Sequence, residues 1–198
     1  MKNIKTILSK IDPLNIDQKV LKYAGELIRK GNLVAFPTET VYGLGANALN
    51  KKAVIKIFKA KERPYCDPLI VHISCFKELE KLVDEIPEIA RKLADYFWPG
   101  PLTMIMKKSK IVPDQVTSGL DTVAIRVPNH PIALGLIREA NRPIAAPSAN
   151  RFTYTSPTKA SHVVDDLKGK VHLILDGGGT EVGLESTVID ITSFPLKV

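Results

Sequence analysis

Short apolar runs of strand length alternate with longer stretches of helical period along this chain. A helix capped by Asp17 and ended by Gly31 presents one apolar stripe, and a strand follows at 33–36. The same pattern predicts further strands at 68–73, 102–107, 122–127, 144–146, 171–175 and 187–191, and further helices from Asn50 and at 75–83, 87–97, 131–140 and 157–167. The alternation predicts an α/β fold with helices flanking one open twisted sheet. Because the later strands need no crossover between them, we expect a mixed sheet.

The chain is long enough for one α/β domain with its own hydrophobic core. No repeat, charge block or low-complexity linker divides its 198 residues, so we expect a single domain over 1–198. No apolar stretch reaches the ~18 residues of a membrane span. The two cysteines, Cys66 and Cys75, have no metal or redox spacing. These features exclude a membrane protein and a disulfide scaffold, and they predict a protein of the reducing cytoplasm.

The charge of the chain indicates the class of its partner. Lys and Arg number 28 and Asp and Glu 21, which gives a formal net charge of +7. A basic excess of this size favours an anionic partner, whether a nucleotide, a phosphate or a nucleic acid. Charge alone does not distinguish these three.

Four polar segments follow predicted strands and are candidates for a ligand groove, because ligands of open α/β sheets bind at the carboxyl ends of strands. The first, 36–47, contains Gly43-x-Gly45, which fits a dinucleotide fingerprint only loosely, because six residues separate the first glycine from the strand. The alternative is a loop whose own polar groups are satisfied by Thr38, Glu39, Thr40 and Tyr42.

The second segment, 61–72, places two cations at the end of a helix. Lys61 and Arg63 are a pair suited to a phosphate, although the helix dipole alone also favours cations there. We expect both at the surface, where a substitution changes stability by less than about 1 kcal/mol. A lone histidine in an apolar strand, such as His72, is more often a core residue than a ligand.

The third and fourth segments combine small residues with neutral hydrogen-bonding groups. In 143–150, small side chains let a ligand approach Ser148 and Asn150, and helix capping is the alternative. Ser156-Pro157 has the pattern of a helix N-cap followed by proline. The three glycines of 176–180 indicate a loop of unusual backbone angles, but the chain has no P-loop motif.

Motifs for covalent or metal chemistry are missing from the sequence. There is no Gly-x-Ser-x-Gly elbow, and the four histidines have no metal-ligand spacing. We therefore expect a site that works through cations and positioning rather than through a protein nucleophile.

Several motifs occur together and in order between residues 17 and 191. They are 36–47, Lys61-x-Arg63 running into 68–72, 122–128, His130-Pro131, 146–150 and 185–188. In this combination the chain resembles the YrdC-type threonylcarbamoyl-AMP synthases. The resemblance implies that L-threonine, bicarbonate and ATP, the last with Mg²⁺, give threonylcarbamoyl-adenylate and pyrophosphate. It also implies that a separate transferase uses the product to modify a tRNA adenosine beside the anticodon.

The resemblance also implies roles for individual residues. Lys61 and Arg63 would be catalytic, and Mg²⁺ would be held by the ATP phosphates rather than by a metal site of the protein. The implied ATP contacts are Lys61, Arg63, Asp67, Thr122, Ser148, Asn150 and Ser156. The implied threonine contacts are Thr40, His72, Arg126, Ala146 and Ser186, with Arg126 taking the threonine carboxylate in a two-pronged pair.

Two positions depart from the pattern of this family. Asp67 stands where many relatives have asparagine, which adds a negative charge beside the expected phosphates. Longer relatives continue with an arginine-containing segment that closes over the nucleotide, and then with a second domain. We expect that either Lys197 takes the role of that segment or the segment is missing from these 198 residues.

Two other functions compete with the enzyme. The +7 charge also suits a basic RNA-binding module that contacts tRNA or ribosomal RNA without catalysis. Carbamoyl transfer in hydrogenase maturation uses a related domain, but the zinc-finger cysteines that accompany that domain are missing here. Threonine-dependent release of pyrophosphate separates the enzyme from both.

Overall fold

The computed structural model describes residues 4–193 and 195–198. Its strands are β1 (Ile7–Lys10), β2 (Val34–Pro37), β3 (Tyr42–Asn47), β4 (Ile70–His72), β5 (Leu102–Lys107), β6 (Thr122–Arg126), β7 (Ile144–Ala145), β8 (Leu173–Asp176) and β9 (Thr187–Asp190). Its helices are α1 (Gln18–Arg29), α2 (Lys51–Lys61), α3 (Leu79–Leu82), α4 (Glu88–Phe97), α5 (Asp114–Thr117), α6 (Pro131–Ala140) and α7 (Ala160–Leu167), with a 3-10 turn at Phe76–Glu78.

The strands form one sheet in the order β1-β8-β2-β3-β7-β4-β6-β5-β9. Four neighbouring pairs are parallel, namely β1/β8, β2/β8, β4/β6 and β5/β9, and the other four are antiparallel. The predicted α/β fold with an open mixed sheet is confirmed. The single-domain organisation stays a prediction.

The sheet is narrowest at β7, which has two residues. Ala145 pairs with Ala46 of β3 on one side and with Val71 of β4 on the other, and Ile144 pairs with Asn47 and His72. One group of strands, β1-β8-β2-β3, is therefore joined to the other, β4-β6-β5-β9, through this short strand.

Helices cover two apolar clusters of the sheet. One cluster is formed mainly by α1, α6 and side chains of β2 and β8, such as Phe36 and Leu173. The larger cluster contains buried residues of α2, α4 and α7 and of strands β3, β4, β5, β6, β7 and β9. In the described part of the chain, none of the helices combines the length and the apolarity that crossing a membrane requires.

The first two helices begin where the sequence predicts. The carboxylate of Asp17 accepts from the backbone N–H of Lys19 at 2.8 Å, and the side chain of Asn50 accepts from that of Lys52 at 3.0 Å. Gly31 follows α1 with φ of 73°, the left-handed conformation that ends a helix. These local signals are read correctly from sequence because each acts within one helical turn.

The predicted start of α7 is wrong. The helix begins at Ala160, and Ser156 is not its cap. The backbone N–H of Tyr42 donates to the carbonyl of Pro157 over 2.8 Å, and that of Thr180 donates to Thr158 over 3.0 Å. These distant bonds hold the chain before residue 160 outside the helix, and the hydroxyl of Ser156 donates to the carboxylate of Glu185 instead.

Residues 42–47 form strand β3, where the sequence indicates a loop. A Cβ on Gly45 would lie 2.8 Å from Phe36 Cε1 and 2.8 Å from Ile144 Cγ2, and one on Gly43 would lie 3.4 Å from the Phe36 ring. The two glycines thus leave room for an aromatic ring of the neighbouring strand. A dinucleotide is not needed to explain them. Strand β1, beside β8, has no predicted counterpart.

We expect Gly45→Ala to lower the free energy of unfolding by about 1–3 kcal/mol, because the added methyl group overpacks the contact with Phe36 and Ile144. The matched control is Gly179→Ala, where the nearest atom, Thr158 O, is 3.9 Å away. Urea denaturation of both variants measures the difference. Equal stability of the two would show that β3 and Phe36 are not packed as described.

Candidate functional site

A cleft with a cavity volume of about 50 Å³ lies where β2, β4, β6 and β7 end. Its walls are formed by Thr38, Thr40, Val41, Gly43, Ile70, His72, Arg126, Ala146, Pro147, Ser148, Glu185 and Ser186. The structure therefore brings all the residues predicted for the threonine site into one cleft, together with Ser148. They come from segments far apart in the chain, and the fold alone unites them.

Arg126, the last residue of β6, is buried, and each nitrogen of its guanidinium lies close to a group of the protein. Nε donates to the carbonyl of Gly100 over 3.1 Å, and Nη1 donates to Oγ1 of Thr40 over 3.0 Å. Nη2 lies 2.7 Å from Oε1 of Glu39, an ion pair whose angle is not that of a directed hydrogen bond. A carboxylate of the protein, that of Glu39, is thus already paired with Arg126. The prediction that Arg126 takes the threonine carboxylate in a two-pronged pair did not include this partner.

His72, the last residue of β4, is held in its neutral form. Burial, and then the nearby charge of Arg126, lower the pKa of His72 to about 3. Its Nδ1 has no hydrogen-bond partner within the described residues. The edge of the imidazole meets the ring of Phe36, with centroids 6.3 Å apart. His72 is therefore a core residue of the strand that also belongs to the wall of the cleft.

Lys61 is not the surface cation that the sequence predicts, since only 1% of it is exposed. Its Nζ donates to the backbone oxygens of Ser148 at 2.5 Å and Asn150 at 2.6 Å, and to Oδ1 of Asn150 at 3.2 Å. Burial, with a smaller contribution from Arg63, lowers the pKa of Lys61 to about 7. In this arrangement Lys61 joins the end of α2 to the loop after β7 that carries Ser148.

Arg63 is paired with the residue that departs from the family pattern. Its Nη2 lies 2.8 Å from Oδ2 of Asp67 and donates to the carbonyl of Pro68 over 3.1 Å. Its guanidinium also lies 5.7 Å from the ring centroid of Phe152. Asp67 thus neutralises Arg63 and fixes its position.

The remaining predicted ATP contacts lie at different distances from the cleft. Asn150 uses its amide internally, since Nδ2 donates to the carbonyls of Arg151 and Tyr154. Ser156 reaches the cleft through Glu185. Thr122 is the first residue of β6, four residues before Arg126 and therefore roughly 13 Å from it along the strand. These three roles stay predictions.

Lys197, the expected replacement for a closing arginine, pairs with the far end of β9. Its backbone N–H and C=O exchange hydrogen bonds with Asp190 at 3.3 and 2.8 Å. Ser186, which lines the cleft, immediately precedes the opposite end of that strand. The structure therefore does not place Lys197 in the cleft.

Sequence reasoning missed several residues that support the cleft. Glu39 is the partner of Arg126, and the hydroxyl of Thr103 lies 2.7 Å from that of Ser186. Tyr42 donates its hydroxyl to the carbonyl of Gly178 over 2.6 Å, and burial, then Asp176, raise its pKa to about 12. Glu39 and Tyr42 belong to a polar run in an apolar setting, which was a usable signal. Thr103 lies in an ordinary strand pattern and gives none.

The described residues contain no group of three or more His, Cys, Asp or Glu side chains that could hold a metal ion. This part of the chain therefore offers no metal site made entirely of its own side chains.

Comparisons with known proteins show the family of this chain. A protein-family model for Sua5, YciO and YrdC, described as telomere recombination, matches residues 26–198. The threonylcarbamoyl-AMP synthase of Pyrococcus abyssi is 58% identical over 91% of this chain and 53% of its own length. That of Bacillus subtilis is 52% identical over 96% of this chain and 55% of its own length.

A solved structure is similar over the same region. The crystal structure of P. abyssi Sua5 complexed with L-threonine has a TM-score of 0.94 and 55% identity, covering 96% of this chain and 56% of that one. The present chain thus spans about half the length of these three relatives.

The low pKa of Lys61 has a measurable signature. We expect the ¹³Cε resonance of Lys61 to titrate near pH 7, well below the ordinary lysine value. Between about pH 7 and pH 10.5, Lys61 is protonated in the unfolded chain but not in the folded chain. The contribution of Lys61 to the free energy of unfolding therefore rises with pH across this window.

Two variants isolate this effect. Lys61→Met removes the titrating group, so the difference in stability between wild type and Lys61→Met should change from pH 7 to 10.5. Lys92→Met, at a lysine whose side chain is 65% exposed, controls for the loss of a surface charge. A Lys61 resonance that titrates at the ordinary lysine value would contradict the burial of the ammonium group.

Proposed function

Because the chain belongs to the Sua5/YciO/YrdC family, we propose that it forms threonylcarbamoyl-AMP from L-threonine, bicarbonate and ATP, with release of pyrophosphate. The observation that carries the proposal is the convergence of Thr40, His72, Arg126, Ala146 and Ser186 on one cleft. The relative whose structure contains L-threonine supports the choice of amino acid, since its fold coincides with this one.

The reaction requires no nucleophile from the protein. Condensation of the threonine amine with bicarbonate gives a carbamate and water. A carbamate oxygen then attacks the α-phosphorus of ATP, the bond from that phosphorus to the bridging oxygen breaks, and pyrophosphate leaves. The task of the protein is to align these anions and reduce their repulsion. Mg²⁺ on the ATP phosphates supplies part of the neutralising charge.

At the threonine end of this reaction, the cleft offers neutral groups, the carboxylate of Glu185 and one cation, Arg126. Arg126 attracts an anionic ligand, but the carboxylate of Glu39, 2.7 Å away, offsets its charge. The affinity of the cleft for a ligand therefore depends on the charge and shape of that ligand. With a pKa of about 3, His72 serves as a hydrogen-bonding partner and not as a proton carrier near neutral pH.

We assign the binding of ATP to the region around Lys61 and Arg63. Lys61 orders the loop of Ser148 and Asn150, whose backbone it holds. Arg63 has a side chain that is 13% exposed and is the cation of the pair with access to solvent. We therefore assign phosphate contact to Arg63 and loop positioning to Lys61.

The product's chemistry determines its next step. A threonylcarbamoyl-adenylate is a mixed anhydride that transfers its threonylcarbamoyl group with AMP as the leaving group, and we propose that a separate transferase passes this group to a tRNA adenosine. We place this activity in the cytoplasm and in a single domain. The rival proposal, a basic RNA-binding module without catalysis, is favoured by the net charge of +7.

We expect the purified chain, with ATP, Mg²⁺ and bicarbonate, to release pyrophosphate only when L-threonine is added. Arg126→Met should reduce the rate at least about tenfold, because a buried Glu39 is left without its partner beside the ligand. Arg142→Met, at an exposed arginine that bonds only its neighbour's carbonyl, is the matched control and should keep the wild-type rate.

A rate of pyrophosphate release that does not depend on threonine would refute the enzyme. Salt-dependent binding of tRNA by the same inactive protein would then favour the RNA-binding module. Calorimetry with L-threonine alone tests the cleft separately from turnover.

A further inference from the structure

The turn between β2 and β3 carries two buried threonine hydroxyls beside the cleft. Thr38 and Thr40 are 3% and 1% exposed, and both belong to the cleft wall. Their Oγ1 atoms are 2.9 Å apart, so one hydroxyl donates a hydrogen bond to the other. Which of them donates decides what Thr40 presents to a ligand.

The hydrogen count of Thr38 fixes the direction. A threonine hydroxyl has one hydrogen and two lone pairs. Oγ1 of Thr38 lies 2.7 Å from the carbonyl oxygen of Val41, which can only accept, so the hydrogen of Thr38 points there. Thr38 must then accept from the hydroxyl of Thr40. The backbone N–H groups of Thr40 and Val41, both at 3.2 Å, make longer bonds to Thr38 and share its second lone pair.

Arg126 fixes the other side of Thr40. Nη1 of Arg126 donates to Oγ1 of Thr40 over 3.0 Å. Thr40 therefore gives its hydrogen to Thr38, receives a hydrogen from Arg126 and keeps one free lone pair. The bonds run in one direction from a cation to a carbonyl, from Arg126 through Thr40 and Thr38 to Val41, so each bond polarises the next.

We infer that Thr38 is a positioning residue that makes Thr40 an acceptor only, so that the cleft takes a ligand that brings an N–H or O–H donor to Thr40. The identity of that ligand rests on the proposed function. In L-threonine the available donors are the side-chain hydroxyl and the amine. A ligand that brings only an acceptor to this point is disfavoured, since two lone pairs would then face each other.

Substitutions at Thr38 test the inference. Thr38→Val keeps the shape but removes the acceptor, so the Thr40 hydrogen is free to turn into the cleft. We expect calorimetry to show L-threonine binding weakened about tenfold, the size of one net hydrogen bond. Thr38→Ser keeps the hydroxyl and should restore binding to within about threefold of wild type. Unchanged affinity in a folded Thr38→Val protein would overturn the inference.

L-Valine, which has the shape of threonine without its hydroxyl, identifies the donor. If Thr38→Val weakens threonine and valine by the same factor, the amine donates to Thr40. If valine binding is unaffected, the hydroxyl donates. Either result supports Thr40 as an acceptor.

Thr117 provides a matched control outside the cleft. Its hydroxyl donates to the carbonyl of Leu120, three residues on, over 2.9 Å, as Thr38 donates to Val41. It also accepts from Nζ of Lys108 at 2.9 Å, and only 1% of Thr117 is exposed. Thr117→Val should leave threonine affinity unchanged. An equal loss in both valine variants would mean that the effect is a general loss of stability, and the inference would fail.

Neutron diffraction from the ligand-free chain, exchanged into D₂O, locates the hydroxyl hydrogens directly. We expect the Thr40 deuterium on the line to Oγ1 of Thr38. Nuclear density that points into the cleft instead would overturn the inference, whether or not threonine binds. Failure of wild type to bind threonine would count against the proposed function alone.

Discussion

The buried ion pair between Glu39 and Arg126 is the interaction on which the cleft depends. Two buried charges are compatible with a stable fold when each compensates the charge of the other. Loss of either one leaves an uncompensated buried charge. This pair ties the turn between β2 and β3 to the end of β6. The backbone N–H groups of Val182 and Gly183 donate to the carbonyls of Glu39 and Thr40, both over 2.9 Å, so the same turn also holds the loop that leads to Ser186.

Much of the fold was predictable because its signals are local. The caps of α1 and α2 and the bounds of β5 and α6 follow from side chains within a few residues of each boundary. Residues 42–47 were not recognised as a strand, because Gly43 and Gly45 weaken every local strand signal. The reason for those glycines is a ring on another strand, which no local pattern contains.

The candidate site shows the same division. The identities of the threonine-site residues came from a resemblance, and the fold brings them together. The partners of the predicted site residues were not predictable. Lys61, for example, was expected at the surface and is buried against a loop nearly ninety residues away in the sequence. Charge and spacing indicate which groups carry chemistry. Only the tertiary fold decides whether a cation faces a ligand, a carboxylate such as Asp67, or a carbonyl.

The two-residue strand β7 places the cleft between the two halves of the sheet. Thr38 and Thr40 belong to one half of the sheet, and His72 and Arg126 belong to the other. Beside the cleft, the halves are joined by the short β7 ladders, by the contacts of Arg126 with Glu39 and Thr40, and by the ring contact between Phe36 and His72. The cleft therefore lies where the two halves of the sheet are joined by its shortest strand. A molecule that contacts both walls adds interactions between these two halves.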